Sequence, residues 1–207
     1  MQQSHGHMWN RLIAISLFLA GAAMGQSQLC DVRLAEDFVP MSRTERAANY
    51  EKQIAGPQAF FETAVQAGVY QGVNRPREYG QGTEGYALRM GSLYGQRVIG
   101  QTFENGLALW RHEDNRYFAS GKRNVAARIA YAAESALLAR HDDGGRSVSV
   151  SAIGGTAIGA FVSRTWAPRS TTSLADGAVE FGISMGLRFG FNLAREFSPR
   201  VLGRIWR

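Results

Sequence analysis

One stretch near the C-terminus constrains the fold more than any other. From Ala178 to Ala194 a small residue recurs at every fourth position: Ala178, Gly182, Gly186, Gly190 and Ala194. On a helix this spacing lines the small residues along one side, and such a strip lets another backbone approach closely, as small-xxx-small contacts do. Val179, Phe181, Ile183, Met185, Leu187, Phe189, Phe191 and Leu193 occupy the rest of the surface. A helix that apolar is buried, in a bundle or in lipid. The stretch also alternates strictly, with every odd position from 179 to 193 apolar, as in a strand of a membrane barrel. Three glycines weaken a helix interior by about 1 kcal/mol each relative to Ala, which supports the strand. Two observations favour the helix. Fifteen alternating residues exceed the roughly 9–11 of a membrane strand, and no other long segment alternates to supply barrel partners.

Two charges interrupt this helix, Glu180 and Arg188. Eight residues separate them, about 12 Å along a straight helix, so each needs a partner on another helix. A charge at mid-membrane costs about 2.5–3.5 kcal/mol, which argues against a conventional multispanning protein.

The N-terminal residues 1–25 have the pattern of a secretory signal. Arg11 precedes the apolar run Leu12 to Ala23, and Ala23-Met24-Gly25 supplies small residues for cleavage before Gln26. The run is short for a bilayer span; an uncleaved anchor is the other reading, and both imply export. Cys30 is the only cysteine, so no internal disulfide can form and packing must hold the fold. Leu29 before Cys30 disfavours a lipoprotein.

The order of helices follows from caps and breakers. Residues 26–41 read as an irregular lead-in. Ser42-x-x-Glu45 is a capping box for a short polar helix to about Ile54, and Gly56-Pro57 breaks it. Pro57 opens a second helix, 57–72, with Phe60, Phe61, Ala64, Val65 and Gly68 on one face. A loop follows over 73–82 around Pro76. A third helix runs from near Thr83 to Trp110 and carries Ala87, Gly91 and Gly95 four apart. An Ala-rich fourth helix is expected over 121–140 with Ser120 as its cap. His141-Asp142-Asp143-Gly144-Gly145 ends it in a turn. The fifth segment, Ser149 to Val162, is uncharged and places Gly155 and Gly159 on a second small strip. Ser173-x-x-Asp176 is a second capping box and opens the C-terminal helix. These elements predict an all-α fold over 42–199, a bundle of about five helices, with no extended sheet. The strip of Gly155 and Gly159 is expected to cross that of Gly182, Gly186 and Gly190, which makes Gly186→Leu a damaging substitution. The tail 200–207 is basic and amphipathic.

The most distinctive loop is His112-Glu113-Asp114-Asn115-Arg116-Tyr117-Phe118-Ala119-Ser120-Gly121. Together with Gly85-Tyr86-Ala87-x-Arg89-x-Gly91, Asp142-Asp143-Gly144 and Ile153-Gly154-Gly155, it resembles an uncharacterised group of exported bacterial proteins. The resemblance spans about residues 56–199. It implies a helical protein of the cell envelope and no known activity, so it assigns no catalytic residue.

Chemical signatures are sparse. His112 and His141 sit in loops beside carboxylates, and they would form an acid–base or metal site only if those loops met. With Asp114, Arg116 and Tyr117 they are the candidate site residues, although solvated turn residues and loop-locking ion pairs explain the same pattern. Asp142-Asp143-Gly144 lacks the alternating oxygen ligands of a calcium loop. No dinucleotide fingerprint, P-loop or G-x-S-x-G elbow is present, so neither cofactor nor metal is expected. The net charge is +6, and 21 of the 23 basic residues are Arg. Base composition of the genome explains that bias; affinity for phosphate or lipid headgroups explains it too. Export and the lack of a recognition motif argue against nucleic acid. Two function classes remain. One is a non-enzymatic, membrane-associated envelope protein with a structural or interaction role, its tail resting on a lipid surface. The other is a small envelope hydrolase or ligand-binding protein that uses the 112–117 loop. Convergence of His112, Asp114, Arg116 and His141 in one pocket would favour the second.

Overall fold

The computed structural model describes residues 33–198. The expected signal, Cys30 and the basic tail lie outside the described residues. The fold is mostly helical, with six α-helices among the described residues: α1 (Arg43–Ala55), α2 (Pro57–Gly72), α3 (Gly82–Arg111), α4 (Val125–Leu137), α5 (Val150–Val162) and α6 (Leu174–Glu196).

The caps that set the boundaries are formed. Ser42 and Glu45 make a reciprocal capping box at α1, and Ser173 and Asp176 make another at α6. Pro57 occupies the first turn of α2, where its missing N–H costs nothing. α3 ends at His112, which takes the left-handed conformation (φ 55°).

Two expectations about the fourth helix are corrected. α4 starts at Val125 under an Asn124 cap, whose side chain accepts from the Ala127 N–H at 3.0 Å. Ser120 is no cap: its hydroxyl and backbone N–H both donate to Glu196. The chain also leaves the helix at Leu138, because Leu138–His141 pairs as a strand with Arg146–Val148 and with Glu113–Asp114. The reversal falls at the expected Asp142–Gly145 turn, where Gly144 has φ +85°, a conformation that suits glycine. With β1 (Arg33–Leu34), β2 (Glu113–Asp114), β3 (Phe118–Ala119), β4 (Leu138–His141) and β5 (Arg146–Val148), the strands form a three-stranded sheet, β2-β4-β5, and a two-stranded parallel pair, β1-β3. The lead-in is therefore anchored at Arg33–Leu34.

Helix α3 is the spine. It crosses α5 closely, and glycine makes this possible. A Cβ built on Gly155 would sit 2.5 Å from the Glu104 Cβ and 2.7 Å from the Gly100 carbonyl oxygen. One built on Gly159 would sit 2.9 Å from the Gln96 carbonyl oxygen.

The expected crossing of the two small strips does not occur. The strip of α5 faces α3, while Gly182, Gly186 and Gly190 have nothing within 4 Å of a built Cβ. The glycine of α6 that meets α5 is Gly177, under the Phe161 ring. Gly186→Leu would therefore enter open space.

Burial is the other surprise. In α2 the inward residues are Ala59, Glu62, Thr63, Ala67 and Tyr70, whereas Phe60 is 45% exposed and Gly68 is exposed. The apolar face of α2 is thus only partly inside: Phe61, Ala64 and Val65 are half-buried, and Phe61 packs against Phe191 of α6. The largest fully buried side chains among the described residues are all polar or charged, led by Arg89, Glu113 and Glu196. Large apolar side chains lie outside, including Leu174, Trp110, Val73 and Val125. A small apolar cluster of Ala67, Tyr70 and Leu93 joins α2 to α3, with Ile183 of α6 packed against it.

Candidate functional site

The 112–117 loop is held by buried charge. Asp114, fully buried, receives two hydrogen bonds from Arg116: Nε at 3.0 Å to Oδ1 and Nη2 at 2.7 Å to Oδ2. A planar guanidinium fork suits this bidentate contact. Arg116 also donates to the Val39 carbonyl at 2.8 Å. The neighbouring Glu113, 0% exposed, caps α5 by accepting from the Ser151 N–H at 2.9 Å and from the Ser151 hydroxyl. Burial pushes the Glu113 carboxyl up, and the hydrogen bonds from Ser151 and Val150 outweigh it, leaving it below the usual range. The position at a helix N-terminus favours the anion as well.

Tyr117 donates to Glu196 at 2.5 Å. Burial and this carboxylate both raise its hydroxyl far above the usual value. Glu196 also receives Ser120 and Arg128, whose Nε lies 3.1 Å from Oε1. One carboxylate thus ties the loop, α4 and the end of α6 together. Sequence reading passed over both Glu113 and Glu196. A carboxylate in the last turn of an apolar helix, where a basic residue is favoured, was the available signal for Glu196.

The histidines stand apart. His112 is 75% exposed at its side chain and lies 3.3 Å from Asp142. His141 Nε2 is 2.6 Å from the Ser147 hydroxyl, which would be a nucleophile–base pair in another setting. Here the pair lies on the β4-β5 hairpin, and among the described residues no third group orients the imidazole. His112, Asp114, Arg116 and His141 do not converge in one pocket; of the five candidates, only Arg116 and Tyr117 line the main cavity. No group of three or more metal-ligating side chains is found among the described residues.

That cavity lies between α1, α2, α3 and α6, with the 115–118 loop and α5 at its edges, and is lined by charged side chains. Glu62 is gripped by Arg97 at 2.8 Å and Arg195 at 2.5 Å, and Arg188 pairs with Glu104. Burial alone would raise the Glu62 carboxyl, but the two arginines and Gln58 bring it down to about 2. Burial would lower the Arg188 guanidinium, and Glu104 more than compensates. Glu180 accepts from Tyr70 at 2.5 Å and from Gln96 at 3.1 Å, with Arg164 3.6 Å away. Glu180 and Arg188 of α6 thus have the partners on other elements that their spacing demanded.

The motif residues of the third helix have a local role. Arg89, 1% exposed, donates to the carbonyls of Arg75, Pro76 and Gly80 and to the Gln71 side chain. It clamps the 73–82 loop against α3. Gly85 is required there, because a Cβ would meet the Gly80 and Tyr79 carbonyl oxygens at 2.6 Å.

Fold and site together define a class: a helical bundle with buried ion pairs beside a small apolar core and several apolar side chains exposed. No known protein family, characterised protein or solved structure matches the chain.

Proposed function

We propose that the protein is a non-enzymatic, membrane-associated component of the bacterial cell envelope with a structural or interaction role. The observation that carries this reading is the set of large apolar side chains left outside: Leu174 is 81%, Trp110 72% and Val73 64% exposed. Exposed apolar side chains can supply an interaction or membrane-contact surface. Among the described residues no helix is long and apolar enough to cross a membrane, so the contact in this reading is made by faces rather than by a spanning helix. The positive charge of the chain adds attraction to anionic lipid.

Vesicle flotation tests the reading. The processed protein should float with vesicles containing anionic lipid at low salt. High salt should reduce the floated fraction without abolishing it, because screening weakens headgroup attraction but leaves apolar contact. Protein that stays at the bottom of the gradient at low salt would rule the reading out.

A further inference from the structure

The construction of the interhelical cavity calls for an account separate from membrane contact. Its volume is about 460 Å3, within the roughly 300–1,000 Å3 of small-molecule sites. Its walls are unlike an ordinary apolar pocket. Arg97, Arg188 and Arg195 keep 17%, 22% and 17% of their side chains exposed, while Glu62 and Glu104 keep 11% and 3%. The cations, more than the carboxylates that hold them, are thus available to whatever enters. With Arg33, Lys52 and Arg116 the lining carries six cations against the three carboxylates Glu45, Glu62 and Glu104, so positive charge is left over. Each guanidinium has five N–H donors, and the hydrogen bond that Arg188 makes is to Glu104. Stability alone does not explain the arrangement, since well-packed apolar residues serve at least as well as buried ion pairs.

We propose that this cavity binds a small molecule bearing an oxyanion, a carboxylate or a phosphate, through Arg97, Arg188 and Arg195. A guanidinium fork matches two oxygens of either group. Glu62 and Glu104 act as positioning residues that hold the arginines in place.

Titration calorimetry of the folded protein with citrate, with inorganic phosphate and with neutral glucose, at matched ionic strength, tests the site. Saturable binding of at least one anion and none of glucose is expected; which anion binds separates carboxylate from phosphate. The double variant Glu104→Gln/Arg188→Gln keeps the net charge and removes one guanidinium. Thr156→Phe fills the cavity from α5 without changing charge. Each variant should weaken binding by about tenfold or more, whereas Arg43→Gln, an exposed change outside the cavity, should leave it intact. Thermal unfolding identifies which variants fold, and any folded one decides. Lack of saturable binding of both anions at millimolar concentration overturns the proposal, as does binding that a folded cavity variant leaves unchanged. Either result leaves the membrane reading standing, because flotation does not involve the cavity.

Discussion

Helix α3 meets α5 and α6 in opposite ways. Toward α5 the backbones touch through Gly100, Gly155 and Gly159. Toward α6 the space is spanned by long polar side chains, Arg188 to Glu104 and Gln96 to Glu180 and Ser184. One seam is closed by removing side chains; the other is held open by charging them. The difference shows that a strip of small residues gives the capacity for close approach, not its direction. The strip of α5 is used against α3, and that of α6 faces open space.

The charged seam should be the more fragile under substitution. Arg188→Met would leave Glu104, 3% exposed, without its cation, and breaking a buried pair costs about 3–5 kcal/mol. Chemical denaturation should show this loss, and changing Glu104 to Gln in the same chain should recover much of it. Full stability in the single variant would mean that the seam does not depend on the pair.

Acid acts on the same seam from the α2 side. The folded value of Glu62 lies at about 2, below its ordinary 4.5. Its contribution is therefore fully present above pH 4.5 and is lost as pH falls from 4.5 toward 2. The complete shift corresponds to ~3 kcal/mol. Stability measured across this window should fall less steeply in Glu62→Gln than in the wild type.

The glycine seam should respond to a single methyl. Gly155→Ala puts a Cβ against backbone atoms of α3, and overpacking of this kind costs about 1–3 kcal/mol. A thermal melt unchanged from wild type would show that the helices separate freely. The smallest effect has the opposite sign. Gly186→Ala meets nothing and gains helix propensity of about 1 kcal/mol, so its melting temperature should rise slightly.

Element boundaries were legible because they rest on local chemistry. The capping boxes at Ser42 and Ser173, Pro57 at a first turn and the Asp142–Gly145 reversal all work within a few residues, and all are formed. Two features were not legible, because they depend on which face meets which neighbour. Amphipathic reasoning turns the apolar side of α2 inward, yet Glu62 and Thr63 are inside and Phe60 is half exposed. Once Arg97 and Arg195 reach Glu62 from two other helices, the ion pairs orient the helix. Residues 138–141 were lost to the Ala-rich pattern before them, since their strand partners at Glu113–Asp114 and Arg146–Val148 are distant or follow the turn. The demand of Glu180 and Arg188 for outside partners was legible; the identities of those partners were not.

The central claim is that the small-residue strip of α6 lies open on the folded protein, where the proposed membrane contact would cover it. Thiol labelling tests it directly, with Cys30→Ser removing the native cysteine. In that background Gly186→Cys should react rapidly with a soluble maleimide, and Ala132→Cys, at a position with 0% exposure, should react slowly. Anionic vesicles should then slow the reaction at position 186. Slow labelling at 186 without vesicles would contradict the open strip, and labelling that vesicles leave unchanged would contradict its contact with the membrane.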